Sequence, residues 1–226
     1  MHKTVISRAT KEIIEKIYGI RTPLPLHPGK FAHVVIDLQN GFMKPGSIAE
    51  TPSARLIVPN VNRISTIVRG RGGVNIFLRF TFDPSWTNRY SRLNPDFKSQ
   101  MKKAFVDGGD QHELWSGLDV RSEDVVLNKT RFSAFTPGSC ELNDVLRMRG
   151  IDTILITGCF SNGCCESTSR DAVQMNYNVI FVTDANATVS DPDHNGTVND
   201  LYAIFGCDIC DTVDVLRRLE SNTSAR

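Results

Sequence analysis

From about His33 onward, short apolar runs alternate with stretches in which apolar residues recur every three or four positions. The runs His33 to Leu38, Val74 to Phe80, Asp124 to Leu127, Thr153 to Thr157 and Asn178 to Thr183 predict strands. The stretches Ile57 to Gly70, Glu141 to Arg149, Cys164 to Asn176 and the region beyond Asn195 predict helices. Apolar strands alternating with helices imply a parallel sheet covered on both faces, so the expected fold class is α/β, a three-layer α/β/α sandwich around a mostly parallel sheet.

Upstream, Arg8 to Tyr18 places Ile13, Ile14 and Ile17 at helical spacing before Thr22-Pro23-Leu24-Pro25-Leu26-His27-Pro28-Gly29 breaks the pattern. Residues 1–30 are therefore expected to form a helical arm and linker, and residues 31–226 one domain. The middle, about Asp83 to Gly117, holds Trp86, Arg89, Tyr90, Arg92, Phe97 and Trp115 with little evident period. It is expected to be a pocket lid or a subunit contact.

Composition narrows the partners. A chain of 226 residues that is 40% hydrophobic can bury a sizeable core in one domain. With 26 Lys+Arg against 25 Asp+Glu, a formal charge of +1 gives no electrostatic reason to expect nucleic acid or an anionic membrane. No segment approaches the roughly 20 apolar residues of a membrane span, and no signal-peptide run opens the chain, so a soluble, cytoplasmic protein is expected. The six cysteines do not form a disulfide framework, and free thiols are expected. The five histidines lack metal-ligand spacing, and Gly70-Arg71-Gly72-Gly73 follows a helix instead of a strand, so neither a metal nor a cofactor is expected.

The candidate chemistry sits at predicted strand ends, where open α/β sheets bind ligands. Asp37 ends one apolar strand beside Gln39-Asn40, Lys129 ends another, and Cys164 follows a third across the small-residue turn Gly158-Cys159-Phe160-Ser161-Asn162-Gly163. A thiol opening a helix would have its pKa lowered, which favours a nucleophile. Neighbouring helix positions point about 100° apart, so only one of Cys164 and Cys165 can face the site. Cys164, nearer the glycine turn, is the expected nucleophile, and Cys165 a packing residue. Cys207-Asp208-Ile209-Cys210 has redox-pair spacing but lies late in the chain, where packing is the expected role.

These motifs resemble the isochorismatase-like cysteine hydrolases, a family that includes nicotinamidases and N-carbamoylsarcosine, biuret, maleamate and ureidoacrylate amidohydrolases. The resemblance spans about Phe31 to Leu219 and rests on Val35-Ile36-Asp37-Leu38-Gln39-Asn40-Gly41-Phe42, on Lys129 to Phe135 and on Thr157 to Thr168. Ser161 stands where the family usually has threonine and Cys165 where it has valine. The metal-binding residues of nicotinamidases have no counterpart in Thr81-Phe82-Asp83-Pro84-Ser85-Trp86-Thr87-Asn88.

The resemblance implies a catalytic triad of Asp37, Lys129 and Cys164, an oxyanion hole of the Phe160 and Cys164 N–H groups, and a cis peptide at Cys159–Phe160. It also implies pocket walls at Asn40 and Phe42, and a homodimer or homotetramer. Trp86, Arg89 and Tyr90 are the expected substrate contacts from the lid. The expected function is cysteine-dependent hydrolysis of a small amide, carbamoyl or ureido substrate through a thioester, releasing ammonia or carbamate. Two rivals remain open here: an isochorismatase-type vinyl-ether hydrolase that dispenses with the thiol, and a silent binding or assembly domain of the same fold. A thiol redox sensor is a third.

Overall fold

The computed structural model describes residues 1–221. Six parallel strands form one sheet: β1 (Phe31–Ile36), β2 (Val74–Phe80), β3 (Val125–Lys129), β4 (Thr153–Cys159), β5 (Asn178–Ala187) and β6 (Asp208–Cys210). Their order is β3-β2-β1-β4-β5-β6, so the chain reverses its direction of winding between β1 and β4. Open sheets place their ligand crevice at such a switch point, beyond the carboxyl ends of the strands.

Helices cover both faces. Helix α1 is Arg8–Tyr18, α2 Asn40–Met43, α3 Pro52–Gly70, α4 Thr87–Tyr90, α5 Pro95–Ala104, α6 Leu142–Met148, α7 Glu166–Gln174, α8 Asp191–Ala203 and α9 Thr212–Ser221. On one face Phe31, Val35, Phe77, Leu155 and Ile180 pack with Ile57, Val61, Ile64 and Val68 of α3 and with Val215 and Leu219 of α9. On the other, Ala32, Val34, Ile36, Ile76, Ile154 and Phe181 meet Leu142 and Leu146 of α6, Ala172 of α7, and Val198 and Leu201 of α8. Alternate residues of β1 thus serve opposite cores, and all six are buried.

The elements differ from the sequence expectation in instructive places. Helix α3 starts at Pro52, five residues before Ile57, because proline at the first helical position needs no N–H partner. Strand β6 carries Ile209 and Cys210 of the Cys207–Cys210 pair, and all six cysteines are free thiols. The stretch expected as one helix from Cys164 is an irregular π-turn, Ser161–Cys165, followed by α7. Asn162 and Gly163 within that turn have non-helical backbone angles.

Two backbone features set the crevice. Gly158 has φ 126°, and a Cβ there would lie 2.1 Å from the Ile36 carbonyl oxygen, so only glycine lets the end of β4 approach β1 this closely. Asp37 follows β1 at φ 57°, a left-handed conformation that aspartate tolerates better than most residues.

A polar cluster lies inside the α3 face. His33 Nε2 meets Thr157 Oγ1 at 2.8 Å, its Nδ1 lies 3.3 Å from both Asn75 Oδ1 and Ser65 Oγ, and Asn75 also donates to Asp124, the ion-pair partner of Arg69. Burial pushes the His33 pKa down to about 3, partly offset by Asn75. The unfolded chain, with an ordinary value near 6.5, binds a proton that the folded state refuses. The resulting stability is therefore complete above about pH 6.5 and falls toward pH 3 by up to ~1.4 kcal/mol per unit. Calorimetry between pH 7 and 4 is expected to show a falling Tm, with a shallower slope in His33→Gln; an unchanged slope would assign the acid sensitivity elsewhere.

Candidate active site

Asp37, Lys129 and Cys164 leave the ends of β1, β3 and the turn after β4, and all three side chains are buried at the same crevice. Lys129 Nζ lies 2.8 Å from Asp37 Oδ2. It donates to Cys164 Sγ at 3.3 Å and to the Arg131 carbonyl at 3.1 Å. An ammonium has three N–H donors, and all three are engaged. The Phe80 ring adds a cation–π contact, its centroid 5.3 Å from Nζ.

The charges follow from this packing. Burial opposes the Lys129 charge, but Asp37 and the thiol outweigh it, so the ammonium holds its proton beyond the usual lysine range. Burial raises the Asp37 carboxyl, with Lys129 as the main opposing influence. The thiol and the Phe80 backbone also favour the carboxylate form. Burial pushes the Cys164 thiol up, the Asp37 carboxylate pushes it further, and Lys129 opposes both. This reverses the sequence expectation of a lowered thiol pKa. The sulfur sits in the turn before α7, buried beside a carboxylate, so desolvation and like charge outweigh any helix-terminus effect.

The turn itself is wound around one carbonyl. The Cys159–Phe160 peptide is cis, and the Phe160 oxygen accepts from Gly163 N at 3.0 Å and Cys165 N at 3.2 Å. Cys165 is fully buried among apolar residues, as its neighbour's orientation demands.

Cys164 opens onto a cavity of about 160 Å³. Of the residues expected there, Phe42, Trp86, Arg89, Tyr90 and Phe160 line it. Asn40 departs from expectation: it is not a lining residue, and its carboxamide donates to the Asp110 carbonyl at 2.8 Å, tying down the segment opposite. Gln39 does similar work, bridging the Phe80 backbone and the His112 carbonyl. Phe80, Leu93 and Met101 also line the cavity and were missed. A signal for two of these existed, since Trp86, Tyr90, Leu93, Phe97 and Met101 recur every three or four residues across the segment read as aperiodic. Arg131 pairs with Asp83 at 2.9 Å and lies over Trp86, which fixes that ring at the cavity edge.

Among the described residues, no three His, Cys, Asp or Glu side chains come together as a metal site, and no helix is long and apolar enough to cross a membrane.

Residues 31–212 match the isochorismatase domain family. The chain is 31% identical to a probable inactive nicotinamidase of Arabidopsis thaliana over 76% of this chain and 88% of that protein. It is 28% identical to the ureidoacrylate amidohydrolase of Pseudomonas syringae pv. syringae over 72% and 73% respectively. Among solved structures, a cysteine hydrolase from Pseudomonas syringae pv. phaseolicola superposes with a TM-score of 0.80 at 29% identity, covering 89% of this chain and 98% of that one. The match spans every strand of the sheet and the three segments that meet at the crevice, and the chain therefore belongs to the isochorismatase family.

Proposed function

We propose that this protein is a cysteine-dependent amidohydrolase that cleaves the C–N bond of a small amide or ureido substrate. The observation that carries the reading is the single ammonium that touches both a carboxylate and a thiol, the thiol itself lining a small cavity. The solved cysteine hydrolase and the ureidoacrylate amidohydrolase that this chain resembles support the same reaction class.

The chemistry runs from a neutral thiol. As Cys164 Sγ bonds to the substrate carbonyl carbon, its proton passes to Asp37, and Lys129 stabilises the sulfur while that bond forms. The carbonyl oxygen becomes an oxyanion received by the Phe160 and Cys164 N–H groups, a donor pair of the kind whose members are worth about 2.7–4 kcal/mol each. Asp37 returns the proton to the nitrogen, the C–N bond breaks, and ammonia or an amine leaves. Water then attacks the thioester, Asp37 takes its proton, and the thiolate departs and is reprotonated. One carboxylate thus serves as base and acid in turn.

The cavity bounds the substrate. At about 160 Å³ it is the size that admits a benzene-like body, and its walls are Phe42, Phe80, Leu93, Phe97, Met101 and Phe160. Arg89 is the cation on its lining, and its guanidinium lies over Phe132, 5.9 Å from the ring centroid. A compact, largely apolar or planar amide with a carboxylate at the far end satisfies both features.

Ammonia release from a panel of ureidoacrylate, N-carbamoylsarcosine, biuret, maleamate, nicotinamide and uncharged amides of similar size tests the reading. Cys164→Ala is expected to lower turnover of the best substrate on the order of 10,000-fold. Isochorismate turnover that survives Cys164→Ala, with no ammonia from any amide, would instead establish the vinyl-ether hydrolase.

The thiol's titration gives a second expectation with a definite sign. Because burial and Asp37 hold the proton on Cys164, the rate of its alkylation by iodoacetamide should keep rising above the ordinary cysteine value of about 8.5. Asp37→Asn removes the negative neighbour and leaves Lys129, so the alkylation midpoint should move down while turnover falls on the order of 100-fold or more. A midpoint below 8.5 in the wild type, or an upward move in Asp37→Asn, would contradict the proposed charge state.

Arg89→Ala should raise KM about 10-fold for a carboxylate-bearing amide and leave that of an uncharged amide of equal size unchanged. Equal effects on both would remove Arg89 from substrate recognition.

A further inference from the structure

The turn that carries Cys164 has little regular structure of its own. Asn162 (φ −85°, ψ 17°) and Gly163 (φ −130°, ψ −105°) break the helical path. Its rear contacts lead to the N-terminus. Ser161 Oγ lies 2.9 Å from His194 Nδ1, and both residues are fully buried. Asn162 Oδ1 accepts from Thr188 Oγ1 at 2.6 Å.

His2 touches both of these supports. Its ring stacks on His194 with centroids 4.8 Å apart and planes 20° from parallel. His2 Nε2 lies 3.0 Å from the Thr188 backbone nitrogen and 3.1 Å from the Thr188 carbonyl oxygen, and its Nδ1 lies 2.7 Å from Asp191 Oδ1. The side chain is only 6% exposed.

The rest of the arm is zippered onto α8. Asn195 Oδ1 accepts from Val5 N at 2.6 Å while its Nδ2 donates to the Lys3 carbonyl at 2.9 Å. Asn199 Oδ1 accepts from Ser7 N at 2.9 Å while its Nδ2 donates to the Val5 carbonyl at 2.9 Å. Each carboxamide offers the arm one acceptor and one donor, as a neighbouring strand would. Asp191, Asn195 and Asn199 are spaced four apart, one stripe along α8, and together they hold His2, Lys3, Val5 and Ser7 in register. This arm lies outside the residues matched by the family, which begin at 31.

We propose that residues 2–7 form a strap that positions the nucleophile turn from behind, with His2 as the positioning residue acting through His194 on Ser161 and through Thr188 on Asn162. The inference rests on the reading of Cys164 as the nucleophile. It predicts that seating of the arm governs the alignment of the turn and hence the rate of the chemical step, while the cavity on the opposite side keeps its affinity.

The test uses the full chain with any tag at the C-terminus, and compares wild type, His2→Ala, His2→Phe and the double variant Asn195→Ala/Asn199→Ala. Activity is expressed per titrated Cys164, so that a misfolded fraction does not count. His2→Ala and the double variant should each lower kcat on the order of 10-fold with KM unchanged, the scale of a displacement of reacting groups by a fraction of an ångström. His2→Phe, which keeps a ring over His194, should recover part of that loss. A second readout needs no substrate: release of the strap should change the rate at which iodoacetamide alkylates Cys164 several-fold. Unchanged kcat and unchanged alkylation, with hydrogen exchange showing residues 3–7 released in the double variant, would overturn the proposal. If the wild type hydrolyses no amide, the alkylation rates still decide whether the strap controls the turn, so the two readings fail separately.

Discussion

One buried ammonium organises this molecule. Lys129 is fully buried at the end of β3, in a position where an unpaired charge would cost several kcal/mol. It is tolerated because each of its three donors has an acceptor, and because one of those acceptors is the equally buried carboxylate of Asp37. Well-packed apolar residues at the same two positions would serve folding as well or better. The pair is therefore held at the expense of stability, and the remaining acceptors are the Cys164 sulfur and the Arg131 carbonyl.

Placement of that ammonium depends on the sheet. Asp37 follows β1 and Lys129 ends β3, with β2 between them, so the lysine side chain has to reach back over the end of β2, where the Phe80 ring supports it. Gly158 lets β4 close against Ile36, which brings the turn that carries Cys164 to the same spot. The consequence is electrostatic as well as geometric. In so dry a site the thiol keeps its proton, and a free thiolate would have to form beside the Asp37 charge.

How much of this could be read from the sequence follows from what each signal depends on. The alternation of apolar runs and helical stretches is a one-dimensional record of burial, so the sheet and its two helical faces were legible; β6, with three residues of which only Cys210 is buried, was too short to register. Asp37, Lys129 and Cys164 were legible because strand ends are, and because polar residues closing apolar runs stand out. The charge state of Cys164 was not legible, since it depends on the depth of the sulfur and the nearness of Asp37, which only folding brings about. The partner of Asn40 was not legible for a related reason: a carboxamide beside Asp37 can face the cavity or the backbone, and here the Asp110 carbonyl takes it.

The cavity wall shows the same division from another side. Asp37, Lys129 and Cys164 are placed by strands whose register is fixed over several residues, whereas Trp86, Tyr90, Leu93, Phe97 and Met101 come from α4, α5 and the turns around them. Pro84 and Pro95 interrupt that segment and mask its helical spacing, yet the spacing survives because every third or fourth side chain must still turn inward. Stacking of Phe82 on Tyr90 and of Arg131 over Trp86 fastens the segment to the body of the domain. A wall built this way can change its residues without moving Asp37, Lys129 or Cys164. The buried polar trio and the cavity wall are thereby carried by different parts of the chain, the first by the sheet and the second by a short helical insertion laid across its end.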